Sequence, residues 1–289
     1  MNTFSQVSSL KLSALTDDVL RMKAPSIFAE HAHESRSERY TYIPTAEILA
    51  GMRREGFIPV NAIQSRSRIP GKAAFTKHQI RFNYEGADTR LLKVGDSVPQ
   101  LVLTNSHDGT STYQLDLGLF RLICLNGMMV ADKQFSTFKV PHKGDILRNV
   151  IEGSYSVISQ TEQLAERVEQ FSQVRLTHQE QALFATEALR LRFDTPEGEQ
   201  TPVTAEQALR PRRSQDAGDT LWLTLNRVQE SVIRGGQRYT TPAHRTEEGR
   251  YVAPKRMTTR EVQGIDQGNS LNRALWRLAE GMRELKAAA

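Results

Sequence analysis

Residues 98–120 read VPQLVLTNSHDGTSTYQLDLGLF. Two runs rich in Val, Leu, Thr and Tyr flank Asp108-Gly109, a pair suited to the positive φ angles of a type I′ turn. The stretch predicts an antiparallel hairpin, with Asn105 and Asp108 shaping the turn and Gly109 supplying φ > 0. Upstream, residues 57–69 and 72–84 are rich in Val, Ile, Phe and Thr around Pro70-Gly71, which predicts a second hairpin. With Pro70 and Gly71 as the turn, Arg66 opposes Phe75, Arg68 opposes Ala73, Gln64 opposes Lys77 and Val60 opposes Arg81. Period two then places Gln64, Arg66, Arg68, Phe75, Lys77, Gln79 and Arg81 on one face, and Ile63, His78, Ile80 and Phe82 on the other.

Downstream, residues 120–130 (FRLICLNGMMV) are apolar enough to be buried, but their period does not separate strand from helix. Phe135–Val140 reads as a short strand closed by Pro141. Upstream of the hairpins, Thr45 is a good N-cap for a helix over 46–55, with Gly56 as its stop. Thr16-Asp17-Asp18 opens a short helix ending near Ala24-Pro25. Residues 26–44 read as loop or irregular strand.

After Pro141 the pattern changes to helical spacing. Leu147, Ile151, Ile158, Ala165, Val168 and Phe171 predict one long helix over 144–174, loosened at Gly153. Thr177 with Glu180, and Thr204 with Gln207, form capping boxes before two further helices. Gly218 to Arg234 reads as a helix stopped by Gly235-Gly236. Residues 270–286 carry Leu271, Leu275, Leu278, Met282 and Leu285 as a stripe that docks on the chain's own helices, with self-association into a homo-oligomer as the alternative. Trp222 and Trp276 are read as core. The fold class is α+β: an antiparallel β-rich N-terminal half with hairpins and a helical C-terminal half. Residues 1–141 form the β-rich portion with an early helix. Residues 142–289 form the helical portion, with a mobile basic segment near 237–269, and the two are read as one integrated domain.

The chain has 289 residues, 38 Lys and Arg, 33 Asp and Glu, and one Cys. One Cys excludes a disulfide framework within the chain. No stretch approaches about 18 uncharged apolar residues, and the N-terminus lacks the pattern of a signal peptide, so a cytoplasmic protein is expected. Residues 210–260 hold eleven Lys or Arg against five acids, which accounts for the net charge of +5 and leaves the rest near neutral. Such a segment is either a footprint for a polyanion or a solvated connection.

Motifs for P-loop, dinucleotide, zincin and α/β-hydrolase chemistry are absent. His31, His33 and Glu34 lack identifiable further ligands, so no metal and no cofactor are expected. Cys124 reads as packing. His107 and Asp108, as neighbours in a turn, cannot form a triad and are assigned to turn geometry. The basic hairpin face suits a nucleic-acid backbone, with Phe75 interleaved for base stacking. Arg210-Pro211-Arg212-Arg213 is a second phosphate contact or a solvated loop.

The blocks NSHDG (105–109), FRLICLNGM (120–128), RPRRSQDAGDTLWLTLNRVQESVIRGG (210–236) and REVQGIDQGNSLNRALWRLAE (260–280) resemble a family known as domain of unknown function 932, in its plasmid-type form. Gln267-Gly268-Asn269 departs from the more acidic stretch expected there. The resemblance implies a mobile-element accessory protein of a bacterial cell. The expectation is therefore a non-enzymatic DNA-binding protein that binds or anneals single strands in recombination. Arg66, Arg68, Lys77 and Arg81 would neutralise backbone, Phe75 would stack, and Arg212 and Arg213 would add a phosphate contact. The alternative is a factor acting on a host protein through its helical half.

Overall fold

The computed structural model describes residues 14–37, 40, 42–86, 97–121, 126–130, 135, 137–140 and 145–288. It divides into two compact units, 1–166 and 167–289. Cys124 and His142 lie outside the described residues.

The first unit is built on an antiparallel sheet of β1 (Phe57–Gln64), β2 (His78–Tyr84), β3 (Ser97–Asn105), β4 (Gln114–Arg121) and β5 (Asn126–Met129), in that order, with β6 (Phe138–Lys139) also on β4. Cross-strand pairing aligns Ala62, Ile80, Leu103 and Leu115, and then Phe82, Leu101 and Leu117, on one face, and all of them are buried. Helix α1 (Asp17–Lys23) is capped by the Thr16 hydroxyl. Helix α2 (Thr45–Arg54) packs on β1 and on α3 (Ile146–Ile158), which packs on β3 and β4. Of the run at 120–130, the described residues include the end of β4 and all of β5.

The expected long helix is two, α3 and α4 (Thr161–Gln173), and the break falls at Ser159-Gln160 rather than at Gly153. Side chains compete with the ladder there: the Ser159 hydroxyl and the Gln160 amide both donate to the Ser156 carbonyl, while Gln160 N–H turns to Val157. Gly153 serves packing instead, since the Phe138 ring fills the space of a Cβ.

The second unit is helical. Both capping boxes form, at the starts of α5 (His178–Phe193) and α6 (Ala205–Leu209); each cap is worth about 1 kcal/mol. Thr220 caps α7 (Leu221–Arg234), which ends at Gly235 and Gly236, both at positive φ. The last helix, α8 (Ile265–Ala288), begins five residues before the predicted start. Its stripe packs on α5 and α7: Leu271, Leu275 and Met282 are buried, whereas Leu285 at the end is exposed. Trp276 is fully buried against Phe171, and Trp222 is buried in α7.

The segment expected to be mobile, 237–269, is folded over most of its length. Strands β7 (Arg238–Thr240) and β10 (Arg256–Thr258) pair antiparallel, as do β8 (His244–Arg245) and β9 (Tyr251–Val252). The two ladders share one register, and Thr241 and Lys255 bridge them through backbone and side-chain hydrogen bonds. In that register Pro242 faces Pro254. The strand pairing is interrupted at this pair of prolines, neither of which carries an N–H.

Candidate nucleic-acid interface

The expected basic face of the first hairpin does not assemble. Strand β1 ends at Gln64 and β2 starts at His78, so Pro70-Gly71 lies inside a long connection that includes a 3-10 turn, Lys72–Phe75. The pairing near the connection is shifted by one residue from the two-residue-turn register: Gln64 faces His78 and Asn61 faces Arg81. An irregularity between Pro59 and Asn61 restores the predicted register further along. The shift moves Gln64 to the His78 face and Ile63 to the Gln79 face.

Arg66 and Arg68 are exposed, but they sit in the connection and not on the sheet. Lys77 and Gln79 are buried. Arg81 lies over the Phe120 ring and fills the space beside Gly127, and burial pulls its pKa down to about 10. Phe75 is half-buried between the rings of His31 and His33, with centroids 5.1 and 5.3 Å away. The ring expected to stack on single strands thus already contacts two protein rings, one tilted and one edge-on. The basic face expected there is largely taken out of solvent, with Lys77 and Gln79 buried.

The NSHDG stretch is also placed differently. The turn is longer than two residues, since β4 starts only at Gln114, and Asn105, Ser106, His107 and Asp108 are all buried. Gly109 does take positive φ, with Arg36 across it, and Asp108 accepts from Thr110 N and Oγ1. The backbone of His107 bonds Phe75 and His33, Tyr40 donates to the Ser106 carbonyl, and Lys72 pairs with Asp108 at 3.3 Å. These links tie the loops around 33–36, 40–45 and 72–78 together.

At the centre is Thr45, whose hydroxyl does not cap α2 but meets Asn105 Nδ2 at 3.0 Å, His78 Nε2 at 3.1 Å and His107 Nε2 at 3.4 Å. His78 Nδ1 lies 2.9 Å from Ser26 Oγ. A serine beside a histidine suggests a nucleophile and base, but both are fully buried and, among the described residues, no carboxylate hydrogen-bonds this ring. Burial, with the neighbouring His107, lowers the His78 pKa to about 3; burial lowers that of His107 to about 4. Such an imidazole is a poor base at neutral pH. Among the described residues no group of three or more His, Cys, Asp or Glu converges as a metal site.

In the second unit the cations divide sharply. Arg213 makes paired bonds to Glu230, at 2.8 and 2.5 Å, and another to Asp216 at 2.8 Å, all against nearly buried carboxylates. Arg227 is buried, donating to the carbonyls of Asp216 and Gly218 and to Gln181. Arg212 is exposed but donates to the Gly235 carbonyl. Further along, Arg238, Arg250, Lys255, Arg256 and Arg260 are exposed, and no ion pair is formed by any of them among the described residues. Sequence reading found the charge of this segment but not its division.

The fold and site define an α+β protein with a sheet-based first unit, a helical second unit and an exposed basic hairpin. The chain belongs to the family described as Domain of unknown function (DUF932), which matches residues 32–276. It is 44% identical over 268 residues to "UPF0380 protein YafZ" of Escherichia coli (strain K12), covering 93% of this chain and 91% of that one. It is likewise 44% identical over 266 residues to "UPF0380 protein YfjQ" of the same organism, covering 92% and 90%. No solved structure matches. No described helix is long and apolar enough to cross a membrane.

Proposed function

We propose that the protein binds nucleic acid as a non-enzymatic accessory factor, in keeping with the mobile-element setting that the family resemblance implies. The observation that carries this reading is the set of exposed cations at 238–260 (Arg238, Arg250, Lys255, Arg256 and Arg260), none of which forms an ion pair among the described residues. Several arginines elsewhere in the unit are matched to acids: Arg213 to Glu230 and Asp216, Arg167 to Glu280, Arg175 to Asp219. A cluster of like charges left unmatched is unfavourable by itself and becomes favourable when it displaces counterions from a phosphate chain. The buried Thr45 network supports the fold of the first unit and supplies no reactive group to solvent.

The test is a titration of the full chain into a fluorescently labelled 30-nucleotide duplex and its single strand, at 50 and 200 mM salt. Contacts to about four phosphates predict that duplex affinity falls about 10²-fold between these conditions. Absence of binding to either probe at the lower salt would contradict the proposal.

A further inference from the structure

At its base, on the β7/β10 ladder, the hairpin alternates in exposure. Arg238, Thr240, Arg256 and Thr258 are exposed, whereas Tyr239 and Met257 between them are half-buried. Pairing sets Arg238 opposite Thr258 and Thr240 opposite Arg256, so these four side chains share the outer face. Two guanidiniums and two hydroxyls thus project together from a two-stranded ribbon. The outer face presents no carboxylate and no aromatic ring on this ladder. Tyr251, on the distal ladder, is exposed opposite Arg245.

The base of the ribbon is fixed to its own unit. Gln207 donates to the Arg238 carbonyl, Arg192 to the carbonyls of Val232 and Arg260, and Gln237 to the Ser231 hydroxyl. Gly235 lies so close to the Thr259 and Arg260 carbonyls that a Cβ would not fit. Beyond Thr241 and Lys255 the strands run out to the turn at Glu247-Glu248-Gly249, with Gly249 at positive φ. About ten residues per strand give a contour of roughly 30 Å. The turn carries two acids, which phosphates repel, so the ribbon meets a polyanion with its Arg/Thr face and not with its tip.

We propose that this ribbon lies in the major groove of B-form duplex DNA, with Arg238 and Arg256 on phosphates or guanine edges and the hydroxyls of Thr240 and Thr258 completing the contacts. This rests on the nucleic-acid reading above and narrows it. A major groove about 12 Å wide admits a two-stranded ribbon, and arginine is the side chain that matches both phosphate and guanine. A single strand would call for aromatic platforms, and the Arg/Thr face of β7 and β10 holds none. The groove of an A-form RNA duplex is too narrow for a ribbon.

The experiment measures anisotropy of a labelled 30-base-pair DNA duplex, its single strand and an RNA duplex of the same sequence, with the full chain. Three proteins are compared: the unaltered chain, R238A/R256A, and R54A/R277A, which removes the same charge from exposed positions elsewhere. Expected are preference for the DNA duplex, and a slope of log K against log salt shallower by about 2 for R238A/R256A but little changed for the control. That slope change equals about a tenfold difference in the loss between 50 and 200 mM salt. Melting temperatures of both variants should match the unaltered chain. Duplex binding with equal slopes for R238A/R256A and the control overturns the ribbon while leaving nucleic-acid binding intact. Preference for the single strand or the RNA overturns the groove. No binding of any probe overturns both proposals.

Discussion

The two halves of the basic segment, 210–234 and 237–260, have similar sequence character and opposite physical roles. In the first, Arg213 and Arg227 are turned inward, where Glu230, Asp216 and backbone carbonyls satisfy them. In the second, Arg238, Arg250, Lys255 and Arg256 are exposed along a hairpin and form no ion pair among the described residues. The first unit repeats the contrast, with Lys77 and Arg81 taken inside while Arg66 and Arg68 stay in solvent. Charge count alone therefore says nothing about role; the partner of each cation does.

The largest expected effect breaks the inward half. Arg213→Ala leaves Glu230 and Asp216 nearly buried without their cation, and should lower stability by about 3–5 kcal/mol in a urea titration. A loss below about 1 kcal/mol would place Arg213 with the outward group.

The buried imidazoles give the next effect. His78 and His107 have folded pKa values of about 3 and about 4, below the value near 6.5 of an unfolded chain. Above about pH 7 both states hold them neutral. As pH falls through 6.5 the unfolded chain takes up protons that the folded one refuses, so stability drops until the folded values are reached. Each imidazole contributes a slope of up to about 1.4 kcal/mol per pH unit. Denaturation midpoints from pH 7 to pH 5 should fall, and His78→Gln should flatten that trend.

Thr45→Val removes the hydroxyl shared by Asn105, His78 and His107 and should cost about 1–3 kcal/mol, read by thermal melting. Smallest is R66A/R68A, which should change stability by less than about 0.5 kcal/mol and weaken duplex binding less than R238A/R256A does. A larger binding loss from R66A/R68A would move the interface to the first unit.

Local signals were legible in the sequence. Thr16, Thr177 and Thr204 cap helices as read, Gly235-Gly236 ends α7, and Leu271, Leu275 and Met282 of the α8 stripe and both tryptophans are core. The antiparallel sheet followed by helices was legible too. Register was not: a one-residue shift follows from a connection of unforeseen length, and it dissolved the predicted face. Thr45 looked like a cap because Ser and Thr before a helix usually are, but three side chains distant in sequence recruited its hydroxyl. The hairpin at 237–260 was hidden because the segment is polar and rich in Thr, Gly and Arg, with no apolar alternation to mark its strands. The charge of the segment was visible; which cations meet acids depended on tertiary contacts.

The most direct test of the division is arginine footprinting with a dicarbonyl reagent, read by mass spectrometry on the full chain with and without a 30-base-pair DNA duplex. Arg238 and Arg256 should be modified in the free protein and shielded by the duplex, whereas Arg213 and Arg227 should resist modification in both. Arg238 and Arg256 modified equally with and without bound duplex, or Arg213 and Arg227 as reactive as the hairpin arginines, would contradict it.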